Sequence, residues 1–76
     1  MKRTEAFARV KMELSQATKQ YGKFKSEHEG LAIIEEEFLE LRREIFRKHQ
    51  ERNIYSPATE ATQLAAMAIR FLVDLS

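Results

Sequence analysis

Glu36, Glu37, Glu40 and Glu44 interrupt the apolar beat of EEEFLELRREI, and on a helix they share one roughly quarter-turn arc. Like charges three and four residues apart repel by about 0.2–0.5 kcal/mol per pair, so such a strip calls for a positive partner. A divalent cation held by carboxylates would supply one. The plainer alternative is a solvated face relieved by Arg43, Arg47 and neighbouring helices. A second acidic position, Glu60, lies in PATEATQLAAMAIRFLVDLS, where Glu60, Gln63, Arg70 and Asp74 form a narrow polar strip on an otherwise apolar segment. If the two strips face each other, an acidic pocket forms between two rigid rods. Taken alone, Gln63 and Arg70 read as the wet edge of a buried helix, with Arg70 and Asp74 an ordinary i,i+4 pair.

Three helices have to position these groups. The first spans about residues 4–21, with Phe7, Val10, Leu14, Ala17 and Tyr21 at alternating spacings of three and four, and Gly22 suits its end. The second follows the polar connector GKFKSEHEG and covers about 30–49, although Ser26 or the glutamates after it can start it earlier. Leu31, Ile34, Phe38, Leu41 and Ile45 lie opposite the glutamates and are expected to face the core. The third covers about 57–75, with Ser56 as cap and Pro57 at its first position, where the missing N–H costs little. No stretch alternates as a strand does, and the predicted class is all-α.

With 76 residues the chain makes a single domain, 1–76. A domain this short buries only about 60% of the surface its unfolded chain exposes. The apolar circumference of the third helix needs more cover than two partner helices provide, and Ala61, Ala65 and Ala68 suit close packing. The bundle is therefore expected to be completed by oligomerisation, as a homodimer or homotetramer. Hydrophobic residues at 43% exclude a disordered chain. The absence of cysteine removes disulfide and thiolate chemistry and favours an intracellular setting. Ala61 to Ile69, the longest uncharged run, is too short to span a bilayer, and Met1-Lys2-Arg3 is not followed by a signal-peptide core. The expected location is the cytoplasm, away from membranes.

Residues 1–25 carry a net +5 and residues 26–52 a net −3 within a total of +1. A basic first helix beside an acidic second one favours their packing and brings cations near any anionic ligand. Nucleic-acid binding is disfavoured, because the basic residues are spread around the first helix without a DNA-reading motif or aromatic strands. His28 and His49 lack metal-pair spacing, Met12 and Met67 suit packing, and Phe24, Phe46 and Tyr55 are expected in a core or interface.

The pairing of EEEFLEL with EATQLAAMAIRFLVDL resembles the MazG-like group of all-α nucleoside triphosphate pyrophosphohydrolases, over roughly residues 28–75. Members carry an ExxE motif, often EExxEL, on one helix and ExxD on a later one. Glu37-x-x-Glu40 matches the first, with Glu36 before it, and Glu60-x-x-Gln63 occupies the second, with glutamine in place of aspartate. The resemblance implies an enzyme that cleaves the α–β phosphoanhydride of (deoxy)nucleoside triphosphates to monophosphate and pyrophosphate, using Mg²⁺ or Mn²⁺. Glu37, Glu40, Glu60 and Gln63 are then the metal ligands. Glu36, Glu37, Glu40 and Glu60 form the catalytic set, Glu36 orienting the attacking water, and Arg70, Lys23 and Lys25 are candidates to meet phosphate. A neutral amide at position 63 lowers the charge that draws Mg²⁺ out of water. The alternative is a noncatalytic helical oligomer, an interaction module or a degenerate nucleotide binder.

Overall fold

The computed structural model describes residues 1–20, 22–47 and 56–76. Three helices account for most of them: α1 (Arg3–Gln20), α2 (Glu27–Phe46) and α3 (Ser56–Leu75). The fold is all-α, and none of its described helices is long and apolar enough to cross a membrane.

Helix α2 starts three residues before the expected Gly30. Ser26 is its cap, in extended backbone, and the Ser26 hydroxyl accepts from the Glu29 N–H at 3.1 Å. Glu29 reaches back to accept from the Lys25 N–H at 3.3 Å. Ser26-x-x-Glu29 is thus a variant of the capping box, which satisfies donors that the first helical turn leaves free. At the other end the helix stops at Phe46 with Arg47 extended, short of the expected residue 49. His49, Tyr21 and Tyr55 lie outside the described residues.

Helix α3 is the hub. It packs against both α1 and α2, which do not pack on each other. The attraction expected between a basic α1 and an acidic α2 therefore does not set the arrangement. Charge attraction across water is worth little, whereas α3 is apolar on more than one side and gains from covering each. Ala66, fully buried at mid-helix, is where α3 is most closely covered; Ala61 and Ala68 are exposed in the protomer and do not line the contacts with α1 and α2. Ala17, Phe24, Ala66 and Met67 form the core, with Val10, Leu14, Ile33, Ile34, Phe71 and Leu75 packed against it. Met12, expected in the packing, is exposed, as is Phe7.

The face of α2 turned inward carries Gly30, Ile34, Glu37, Leu41 and Glu44, of which Gly30 and Glu44 are buried. This stripe is rotated roughly 60° from the expected apolar one, onto the border between the glutamates and the apolar arc. Leu31, Phe38 and Ile45 are left about half exposed, at 53%, 51% and 49%.

Gly30 explains part of that rotation. A Cβ there would stand 2.7 Å from Phe71 Cδ2 and 3.2 Å from Phe24 Cδ2, so α2 approaches the α3 ring as closely as a hydrogen side chain permits. Gly30→Ala should destabilise the fold by about 1–2 kcal/mol, because ring displacement outweighs the roughly 1 kcal/mol that alanine gains within a helix. Chemical denaturation checks this. A stabilised variant would show that the rings move freely.

Candidate functional site

Glu37 and Glu40 stand one turn apart on α2, and Glu60 faces them from α3. One carboxylate oxygen from each lies within 4.8 Å of the other two, and all three side chains are half-buried. Crowding of this kind resists ionisation. Partial burial, then the nearby charges of Glu40 and Glu60, push the Glu37 carboxyl from its ordinary 4.5 up to about 7. Glu60 is raised as well, by burial first and then by its hydrogen bond and charge interaction with Glu40; Arg43 opposes the shift.

Gln63 sits beside this trio. Its surroundings there are acceptors, which assigns its amide nitrogen to that side: it donates to Glu60 Oε2 at 3.0 Å and to Glu37 Oε2 at 3.2 Å. The amide oxygen, the atom that could bind a cation, is turned away. Gln63 is therefore a bridging donor here, and serving as a ligand requires its amide to rotate by about half a turn. It is not the wet edge of α3.

Glu44, one turn beyond Glu40, escaped the motif reading. It is 7% exposed, its Oε1 has no partner, and its Oε2 lies 3.5 Å from Arg47. Its charge adds to the pressure on Glu60. The i,i+4 step from Glu40 was visible in the sequence, but nothing in the pattern showed that this end of the strip turns inward.

Because α1 and α2 stand apart on α3, a groove of about 830 Å³ opens between them. That is the size range of small-molecule sites. Gln63, Met67 and Arg70 form its floor, Glu36 and Glu37 line the α2 side, and Glu13, Gln16 and Gln20 line the α1 side. Exposed Lys23 and Lys25 stand in the connector wall.

Arg70 holds that wall in place. It is 5% exposed, and its guanidinium donates to the Gly22 carbonyl, stacks 4.3 Å from the centre of the Phe24 ring and lies 4.0 Å from Asp74. Asp74 in turn accepts from the Phe24 N–H at 3.0 Å. One i,i+4 pair thus grips both the carbonyl of residue 22 and the amide of residue 24. This corrects the expectation of a wet surface pair, and it leaves Arg70 less free than Lys23 or Lys25 to meet a phosphate.

No protein-family profile, curated protein or solved structure matches the chain.

The carboxyl groups make a test possible without knowing the ligand. A folded-state pKa above the unfolded value means that the native state binds the Glu37 proton more tightly, so its contribution to stability is lost as pH rises from 4.5 through about 7. In chelator, wild-type melting temperature should fall relative to Glu37→Gln between pH 5 and 8, a window set by that raised pKa. Parallel curves for the two proteins would mean the carboxyl is not crowded.

Proposed function

We propose that this protein is a Mg²⁺-dependent, Mn²⁺-tolerant nucleotide pyrophosphohydrolase of the cytoplasm, acting as a homodimer or homotetramer. It would cleave (deoxy)nucleoside triphosphates between the α and β phosphates. The observation that carries this reading is the convergence of Glu37, Glu40 and Glu60 at the side of a groove large enough for a nucleotide. The motif resemblance to MazG-like enzymes supplies the reaction class.

The donor set suits a hard cation. All three ligands offer carboxylate oxygens, Mg²⁺ and Mn²⁺ prefer oxygen, and the raised Glu37 and Glu60 pKa values mark charge that a cation would relieve. Glu44, paired with Arg47 through Oε2 but with no hydrogen-bond partner at Oε1, lies one turn beyond at the same end. When bound, Mg²⁺ supplies neutralisation of the charge on triphosphate oxygens. The chain's own groups do the rest. Glu36, exposed on the groove wall, is free to orient water or accept its proton, and Lys23 and Lys25 can meet phosphate oxygens from the connector. Gln63 holds Glu37 and Glu60 in register through its two N–H donors.

The second reading, a noncatalytic oligomer or degenerate nucleotide binder, draws on the same glutamine, because Gln63 satisfies the two carboxylates without any metal. Pyrophosphate release from a panel of triphosphates, with Mg²⁺ or Mn²⁺, separates the two. Release that needs the metal and disappears in both Glu37→Ala and Glu40→Ala is the expected result. No release from any triphosphate, or release that survives both substitutions, would overturn the hydrolase.

A further inference from the structure

The outer face of α2 carries a stripe that nothing among the described residues covers: Leu31, Glu35, Phe38, Arg42 and Ile45, flanked by Leu39 and Phe46, all exposed. Their spacing alternates four and three, the rhythm of a helix that packs along its length against another helix. Leu39 and Phe46 are 53% and 74% exposed, which few large apolar side chains in a settled surface are. Glu35 makes no ion pair among the described residues, and Arg42 only lies over the Phe46 ring, 4.9 Å from its centre.

We propose that this stripe is the seam of a two-fold homodimer, in which α2 packs antiparallel on α2 of a second copy about a centre between Phe38 and Leu39. The charges select this occupant and this register. About that centre, Leu31 meets the second copy's Phe46, Phe38 meets its Leu39, and Glu35 meets its Arg42. By symmetry each contact occurs twice, so two ion pairs flank a central apolar block. A stripe that is its own complement under two-fold rotation is what an isologous interface requires. Registers shifted by three or four residues set Glu35 and Arg42 against apolar side chains and leave both charges unpaired. The shallow depression of about 310 Å³ lined by Leu39, Arg42, Arg43 and Phe46 gives the incoming Phe38 and Leu31 a place to seat. The seam leaves the groove between α1 and α2 open and stands independently of the hydrolase reading, because it uses none of Glu37, Glu40 or Glu60.

Sedimentation equilibrium tests it, with circular dichroism confirming that each variant remains helical. Wild type should have a mass of at least two 8.9 kDa chains. Glu35→Arg and Arg42→Glu each create two like-charge contacts and should weaken association by about tenfold or more. The double variant E35R/R42E should regain it. An equimolar mixture of the two single variants should also associate, because each supplies the charge the other lacks. A monomeric wild type overturns the seam. Single variants that associate like wild type, or a double variant and mixture that both stay dissociated, overturn the register.

Discussion

Replacing Glu40 with glutamine is expected to lower pyrophosphate release about a hundredfold or more while raising the metal-free melting temperature. Glu40 is the central group of the trio, hydrogen-bonded to both Glu37 and Glu60. A neutral amide there removes two like-charge contacts and donates to both neighbours. Together these changes are worth about 1 kcal/mol, or roughly 4–8 °C for a domain of this size. On the proposed function, the same change deletes one of the three clustered carboxylates, so stabilisation by Mg²⁺, expected of wild type, should largely vanish. The opposite signs are diagnostic. A variant that merely folds badly loses both activity and stability, whereas one that loses a metal ligand from an overcharged cluster gains stability as it loses function. Glu40→Gln with wild-type turnover, or with a melting temperature that still climbs in Mg²⁺, would remove the cluster from the chemistry.

That trade of stability against charge also explains what could be read from residue types alone. The helices were legible because each carries a strong periodic signal, and the meeting of Glu37, Glu40 and Glu60 was legible because polar strips on otherwise apolar rods have few places to go. The orientation of α2 was not. Its two stripes, Gly30-Ile34-Glu37-Leu41-Glu44 and Leu31-Glu35-Phe38-Arg42-Ile45, have the same spacing, lie about 100° apart and differ mainly in that the second is more apolar. Pattern favours burying the arc of Leu31, Ile34, Phe38, Leu41 and Ile45, which draws on both stripes; only Ile34 and Leu41 of it turn inward. The fold buries the first stripe, because Gly30 permits the close approach to Phe71 and α3 offers Glu60 and Gln63 as polar counterparts. The pattern leaves the start of α2 open between Ser26 and Gly30, and the structure takes the earlier choice. Ser26-x-x-Glu29 stood in plain view as a capping signal but sat inside a connector whose glycines and charges suggested a loop.

Arg70 is where intuition from the sequence strays furthest, and its removal should be the largest stability loss in the chain. Arg70→Ala deletes the donor to the Gly22 carbonyl, uncovers the Phe24 ring and leaves Asp74, whose side chain is 9% exposed, without its cation. Breaking a buried pair from one side costs about 3–5 kcal/mol, much of it the penalty on the charge left behind. Native stability for a chain of this length is of order 4–11 kcal/mol, so a quarter or more disappears, and melting should fall by about 12–40 °C. Lysine should not restore it, since one ammonium cannot stack on Phe24, donate to Gly22 and face Asp74 together. The double variant Arg70→Ala/Asp74→Ala should cost less than the sum of the single changes, because the second substitution removes the orphaned carboxylate. If the proposed hydrolase reading holds, loosening the Gly22 to Phe24 segment should, below the melting range, weaken triphosphate binding through Lys23 and Lys25 more than it slows turnover. An alanine variant that melts within a few degrees of wild type would show that the connector is held by Phe24 packing alone. In that case the positions of the two lysines owe nothing to the Arg70–Asp74 pair.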